Sequence, residues 1–156
     1  MLRSVLSGET CANCRNCCIF DPQSAWEVPT FSKKAISRLK QPEIYSVTEE
    51  NGRCRIKLPY DESGAAQPCP FLDPVSGCTL PPEEKPFACS LWPLRIMPDE
   101  HGKPAITLYH ACPGIPPEKL PEIYNLLENG LRTRIFDELK ADPSMLLPFH
   151  PNYIYL

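Results

Sequence analysis

Glycine is scarce in this sequence, which has seven glycines against twenty prolines in 156 residues. None of the seven falls in a G-x-G-x-x-G pattern, the loop with which many nucleotide-binding folds approach a phosphate. The excess of proline predicts a loop-rich body with few long regular elements. The length predicts one domain over residues 1–156, with a core that is real but small.

Long apolar runs are also lacking. No stretch approaches the roughly 20 residues of a membrane-spanning helix, and the run near the first residue is too short for a signal-peptide core. Charge of one sign is not in excess either: 16 basic and 19 acidic residues give a net charge of −3, and the basic residues are scattered. These absences predict a cytoplasmic protein with no nucleic-acid partner and no membrane partner.

Cysteine, by contrast, is abundant, with nine residues in 17.6 kDa. Four of them crowd into C-A-N-C-R-N-C-C: Cys11, Cys14, Cys17 and Cys18. An odd number of cysteines in a reducing compartment argues against a disulfide framework. Because a C-x-x-C-x-x-C loop delivers several soft ligands from one turn of backbone, the run predicts metal binding. A thiol–disulfide oxidoreductase is the weaker alternative, since no strand precedes the first C-x-x-C.

The remaining cysteines divide into two kinds. Cys54 alternates with Ile56 and Leu58 on one face of a predicted strand, which predicts a small core residue rather than a ligand. The other four lie in turn-rich sequence, where loops can direct several side chains and N–H groups at one ion. The candidate metal- and cofactor-binding residues are therefore eight: Cys11, Cys14, Cys17, Cys18, Cys69, Cys78, Cys89 and Cys112.

Eight thiolates suit two tetrahedral zinc sites, two four-iron clusters, or one cluster with a second, open site. Zinc sites usually combine two C-x-x-C motifs, one from each of two chain segments. In this chain only the segment near the first residues has that spacing. The spacing therefore favours a 4Fe-4S iron–sulfur cluster, with zinc as the alternative. Adjacent Cys17 and Cys18 are predicted to be poor co-ligands of one ion and so to serve separate centres. One centre would take Cys11, Cys14, Cys17 and either Cys69 or Cys112. The other four, which include Cys18, Cys78 and Cys89, would form the second centre or a substrate-facing set.

The ordered cysteine motifs resemble those of the YkgJ-type cysteine-cluster family, described as zinc- or iron-chelating. The match runs from C-x-x-C-x-x-C-C at 11–18 through C-P-F-L at 69–72 and Cys78 to K-P-F-A-C at 85–89 and C-P-G at 112–114. The resemblance implies metal binding by these cysteines. A distant relative, the flagellin lysine methylase, implies an alternative: an iron–sulfur enzyme with an open site for S-adenosylmethionine-dependent methyl transfer.

The chain departs from the family pattern at three places. Thr79-Leu80 stands where the family has I-Y, and Lys85 and Ser90 stand where it has arginines. Lys85 still supplies positive charge beside the thiolates, but without the planar fork of arginine. Any role of those arginines in the family therefore does not carry over.

The fold is predicted to be α+β, a small, loop-rich, metal-nucleated domain with short β-hairpins and one long C-terminal helix. Asn51-Gly52 predicts a hairpin between segments 44–48 and 53–58, and a second hairpin joins 94–97 to 105–109. Ser32 caps a predicted short helix over 33–40. An apolar stripe predicts the long helix over 117–140, bent or split at Gly130: Leu120, Ile123, Tyr124, Leu127, Leu131, Ile135 (or Phe136) and Leu139.

Two classes of function remain open from sequence. The favoured one is a metal or iron–sulfur module for electron transfer, metal handling or maturation, and the other is an enzyme with an open coordination position. Metal ions are the predicted partners, with a protein partner on the C-terminal helix or the aromatic tail as a further alternative. His110, two residues before Cys112, is predicted to be a polar strand end rather than a ligand. No catalytic residue is assigned.

Overall fold

The computed structural model describes residues 2–39, 45–50 and 52–156. Within these residues the strands are β1 (Ile19–Phe20), β2 (Thr30–Ser32), β3 (Ser46–Glu50), β4 (Arg53–Lys57), β5 (Gln67–Pro68), β6 (Leu72–Asp73), β7 (Gly77–Cys78), β8 (Leu94–Pro98), β9 (Pro104–Tyr109) and β10 (Tyr153–Tyr155). The α-helices are α1 (Gly8–Cys14), α2 (Lys33–Ile36), α3 (Phe87–Leu91), α4 (Leu120–Leu126) and α5 (Arg132–Ala141). The mixture confirms the α+β prediction.

The backbone divides into two compact units. The first consists of the chain up to Cys14 together with Ser90–Leu156, and the second is Arg15–Cys89. We refer to them as the terminal unit and the central unit. The prediction of a single domain over 1–156 stays a prediction. No helix among the described residues is long and apolar enough to cross a membrane.

The central unit is built on small antiparallel sheets. Strand β4 lies between β2 and β3, β1 pairs with β5, and β6 pairs with β7. A core of apolar side chains supports these sheets: Phe20, Val28, Phe31, Leu39, Ile56, Leu58 and Phe71. Cys69 packs against this core while remaining partly accessible. The core therefore fixes the segment that carries one of the candidate ligands.

The sequence predictions for the central unit are largely met. The β3–β4 hairpin confirms the turn at Gly52, whose φ of 76° suits glycine, while Ile44 and Asn51 lie outside the described residues. Ser32 caps α2 through its hydroxyl, which accepts a hydrogen bond from Ala35 N at 3.0 Å. Helix α2 ends at Ile36, earlier than predicted, and Lys40 is not among the described residues.

The terminal unit contains the second hairpin and the long helix. The predicted second hairpin is formed by β8 and β9, which pair with Ile96 opposite Ile106. The aromatic tail packs back as β10 on the other edge of β9. A helical run of 25 residues ends at Ala141, which confirms the long C-terminal helix. It breaks at Gly130, whose φ of 104° is outside the helical range. Ile123, Leu127 and Ile135 are buried in the core, whereas Tyr124, predicted for the same stripe, is 43% exposed.

Candidate metal centre

All nine cysteines lie among the described residues, and none of them is in a disulfide bond. Cys54 is 7% exposed on β4, next but one to the buried Ile56, which confirms its prediction as a core residue. The eight other cysteines are distributed over both units. The central unit contains Cys17, Cys18, Cys69, Cys78 and Cys89, which we call the five-thiol set. The terminal unit contains Cys11, Cys14 and Cys112.

A short turn presents the first two members of the five-thiol set. Cys17 and Cys18 lie in a 3-10 turn, Asn16–Cys18, which follows Arg15 in a left-handed conformation with φ of 57°. The Cys18 carbonyl accepts a hydrogen bond from Cys69 N at 2.7 Å and so extends the β1–β5 pairing by one step. This backbone bond joins two candidate ligands that are 51 positions apart in sequence, Cys18 and Cys69.

A second loop presents Cys78. Strand β7 pairs Cys78 with Leu72 on β6, close to Cys69. The Asp73 carboxylate closes the connecting turn, because it accepts hydrogen bonds from Val75 N at 2.9 Å and from Ser76 N at 2.6 Å. These bonds, above all the one from Ser76 N, hold the pKa of Asp73 below its usual range. The ionised carboxylate therefore stabilises the turn that positions Cys78.

The five thiols of this set interact electrostatically. A hydrogen bond with the Cys17 thiol raises the pKa of Cys18, and burial and the charges of Cys17, Cys69 and Cys89 raise it further. Burial raises the pKa of Cys69 to about 11, with contributions from the charges of Cys78 and Cys17. Each member of the set therefore lies close enough to Cys18 or Cys69 to disfavour a second thiolate. A bound cation reverses this cost, because it stabilises the thiolates together.

The distance between Cys17 and Cys18 bears on the prediction that adjacent cysteines are poor co-ligands. Their sulfur atoms are 3.8 Å apart. Two ligands about 2.3 Å from one tetrahedral zinc ion are themselves about 3.8 Å apart. The turn at Asn16–Cys18 thus removes the steric reason for assigning the two sulfurs to separate centres, which the sequence argument had inferred from adjacency alone. How the eight cysteines divide between centres stays a prediction.

Positive charge lies beside the five-thiol set. Lys85 lowers the pKa of Cys69, although burial has the larger, opposite effect. This agrees with the sequence-based suggestion that Lys85 supplies charge beside the thiolates. Arg15, which lies between Cys14 and Cys17 in the cysteine run, lowers the pKa of Asp73 in addition to the hydrogen bonds from Ser76 and Val75. The sequence analysis assigned it no role.

The cysteine thiols are chemically suited to a soft metal, but among the described residues their sulfur atoms are not arranged around a common position. Within residues 2–39, 45–50 and 52–156, no three His, Cys, Asp or Glu side chains are arranged so that they could hold a metal ion. Thiolates select zinc, copper(I) and iron–sulfur clusters, and several soft donors in one unit meet that requirement. Metal binding by these thiols therefore requires their side chains to turn toward the ion.

His110 is exposed at the end of β9, consistent with its prediction as a polar strand end. Its Nδ1 atom lies 2.7 Å from the Asn152 carbonyl oxygen, which can only accept, so Nδ1–H is the donor of this hydrogen bond. His110 N donates to the same oxygen at 3.2 Å. These bonds give His110 a structural role in joining β9 to the chain before β10.

Comparison with known proteins yields no match: no family model, no curated protein and no solved structure is significantly similar to this chain.

Acidification provides a test of the Cys78 turn. Folding lowers the pKa of Asp73 below its value in the unfolded chain, which is about 3.9. The ionised carboxylate therefore stabilises the folded protein fully at pH values above about 3.9. This stabilisation is lost as the pH falls through the lower pKa of the folded state. We expect Asp73→Asn to lower stability at pH 7 and to have no effect near pH 2, as measured by urea unfolding of the metal-free protein.

Asp61→Asn is the matched control, because Asp61 closes a similar turn with Ser63 in a loop without cysteine. Both variants should lose stability in the same pH range. Only Asp73→Asn should also weaken zinc binding at pH 7. Equal zinc affinity in the two variants would show that the Cys78 turn does not position a ligand.

Proposed function

We propose that this chain is a metal-binding cysteine-cluster protein whose thiolates hold a soft metal. The observation that carries the proposal is the five-thiol set, in which one unit gathers five thiols that interact with one another. Burying several thiols beside one another without a cation raises the free energy of every thiolate form. When four of these thiolates ligate a soft cation, its charge offsets their mutual repulsion, and the interaction contributes to the free energy of metal binding.

Two forms of the metal have separate support. The 3.8 Å separation of the Cys17 and Cys18 sulfurs favours one ion held by both, because thiolates on different irons of a cluster point away from each other. For the central unit we therefore propose a single tetrahedral zinc ion. The second candidate is a 4Fe-4S iron–sulfur cluster used for electron transfer or metal handling, because thiolates are also the usual ligands of such clusters.

The resemblance to YkgJ-type cysteine-cluster proteins agrees with either metal. Burial raises the pKa of Cys69, and the charge of Lys85, where that family has arginine, partly opposes this rise. Thiolate ligation is also compatible with a reducing cytoplasm, which is where we propose the protein acts. In the zinc form, four thiolates close the site, so the ion stabilises the fold rather than performing chemistry.

Analysis of the anaerobically purified protein tests the proposal. Zinc, iron and acid-labile sulfide are measured per chain, together with the visible absorption spectrum. We expect at least one zinc ion per chain and neither sulfide nor colour. Iron and sulfide in equal amounts with a brown colour would instead establish the cluster candidate. A folded protein that holds neither metal, and takes up neither in reconstitution, would overturn the proposal.

A further inference from the structure

Cys17 and Cys18 are adjacent in sequence, and the structure also places their sulfur atoms side by side. The two Sγ atoms are 3.8 Å apart, and both side chains are partly accessible to solvent. A disulfide needs an S–S distance of about 2.05 Å, so rotation of the two side chains has to close a gap of roughly 1.8 Å. The pair therefore has the proximity and the access that oxidation to a disulfide requires.

The backbone holds this pair at a defined position in the central unit. Both residues lie in the 3-10 turn Asn16–Cys18, and the Cys18 carbonyl accepts a hydrogen bond from Cys69 N at 2.7 Å. Because the two cysteines are neighbours in the chain, their sulfurs stay within reach of each other in every conformation of the turn. No contact between distant segments has to be kept for the two thiols to react with each other.

We propose that Cys17 and Cys18 are a reversible oxidation site, at which a peroxide converts the two thiols into a disulfide between neighbours. One thiolate attacks a peroxide oxygen, so that an S–O bond forms as the O–O bond breaks, which gives a sulfenic acid and hydroxide. The second thiol then attacks that sulfur, the S–S bond forms, and the hydroxyl leaves as water. In the sum, 2 RSH + H2O2 → RSSR + 2 H2O, the two sulfurs lose two electrons and the peroxide gains them.

The geometry of neighbouring residues makes such a disulfide easy to reduce. Adjacent Cα atoms are about 3.8 Å apart across a trans peptide, whereas the Cα atoms of most disulfides are about 4.4–6.8 Å apart. The bond between neighbours is therefore strained, and strain makes a disulfide more readily reduced. Reduced glutathione should return the pair to two thiols, so the dithiol is the resting form and the disulfide is transient.

Oxidation also affects the proposed metal, and this part of the inference rests on the proposed function. Cys17 and Cys18 are both candidate ligands of the zinc ion in the central unit. The thiolate is the form of cysteine that ligates a metal, and a disulfide sulfur carries no such charge. Formation of the S–S bond would therefore remove two of the four ligands and release the zinc ion, so that zinc binding would depend on the peroxide concentration.

Peptide mapping of the full chain tests the oxidation site, with and without a chelator. The reduced protein is treated with hydrogen peroxide, its remaining thiols are alkylated with iodoacetamide, and trypsin releases peptide 16–33, whose only cysteines are Cys17 and Cys18. We expect this peptide to be unalkylated and lighter than the dithiol form by two hydrogen atoms, and dithiothreitol should restore both alkylation sites. A peptide 16–33 that stays fully alkylated while peptide 4–15 is oxidised would overturn the proposal.

Single serine variants separate the two steps of the reaction. In Cys17→Ser and Cys18→Ser the disulfide cannot form, so in at least one of them a sulfenic acid should persist on the remaining cysteine and react with dimedone. The unmodified chain should carry about tenfold less dimedone on peptide 16–33, because the neighbouring thiol consumes the sulfenic acid. Cys54→Ser, at a buried position, is the control and should behave like the unmodified chain. Equal labelling of the unmodified chain and both variants would contradict the proposal.

Reduced glutathione tests the reversibility. The peroxide-treated chain is incubated with glutathione, and the alkylation of peptide 16–33 is followed over time. We expect both alkylation sites to return, whereas disulfides of ordinary geometry resist reduction by glutathione. A disulfide in this peptide that survives a large excess of reduced glutathione would show that the bond is structural and would contradict a reversible site.

Zinc release tests the consequence for the metal. Peroxide is added to the zinc-loaded full chain, and a zinc-binding chromophore measures the ion that is set free. We expect about one zinc ion per disulfide formed in peptide 16–33, and dithiothreitol should restore binding. A disulfide that forms without zinc release would remove Cys17 and Cys18 from the proposed zinc site. A zinc-loaded chain whose pair never oxidises, even after a chelator removes the zinc, would overturn the oxidation site and leave the proposed function untouched.

Discussion

Replacing Cys69 with serine is expected to lower the zinc affinity of the chain by about a hundredfold. Zinc sites of small domains are worth about 10–16 kcal/mol, so one of four ligands contributes roughly 3 kcal/mol. Cys69 interacts with Cys17, Cys18 and Cys78, and its backbone bond to Cys18 fixes its place in the set. A spare thiol of the set therefore cannot replace it easily. Competition with a zinc-binding chromophore measures the affinity.

Cys54→Ser is the matched control, since the same chemical change is made at a buried position outside the five-thiol set. It should cost about 1–3 kcal/mol of stability, because it places a hydroxyl in an apolar core, and leave the zinc affinity within about twofold. An equal loss of affinity in both variants would mean that unfolding, not ligand removal, is being measured. Unchanged affinity in Cys69→Ser would remove Cys69 from the site.

The second large effect is expected for Phe31→Ala, which should destabilise the metal-free protein by about 3–5 kcal/mol. Phe31 is 2% exposed at the centre of the central-unit core, and its ring centroid is 6.2 Å from that of Phe71. Phe71 lies two positions after Cys69, so the core and the five-thiol set share a segment. A loss of this size is a large fraction of the stability of a small domain.

Zinc should rescue the Phe31→Ala variant. At a free zinc concentration about a thousand times the dissociation constant, binding adds roughly 4 kcal/mol to the folded state. Circular dichroism with and without a chelator measures this. Phe149→Ala, at a residue 54% exposed, is the control and should cost less than about 1 kcal/mol. A Phe31→Ala chain equally folded with and without zinc would show that metal binding and folding of this unit are not linked.

Local patterns in the sequence predicted the elements that local interactions determine. The apolar spacing of Ile123, Leu127 and Ile135 predicted the long helix, and alternation around Cys54 predicted its burial. The exposed Tyr124 shows the limit of that reasoning. The predicted apolar stripe is wider than the face of the helix that packs on the core, so some apolar residues of the stripe lie in solvent. Gly130 correctly predicted the position of the break in this helix.

The features that the sequence did not predict depend on contacts between distant segments. Strands β1 and β5 have two residues each, too few for any period, and they pair across nearly fifty positions of chain. This pairing brings Cys18 beside Cys69, which spacing alone could not indicate. The turn that presents Cys17 and Cys18 follows Arg15 in the left-handed conformation, which is unusual for arginine and which the sequence pattern does not indicate.

X-ray absorption at the zinc edge of the anaerobically purified full chain tests the central claim most directly. The claim is that cysteine thiolates of the five-thiol set hold a soft metal, and the measurement gives the type, number and distance of the atoms around it. We predict a shell of four sulfur atoms at about 2.3 Å. A shell of nitrogen or oxygen atoms alone, at about 2.0–2.2 Å, would contradict the account.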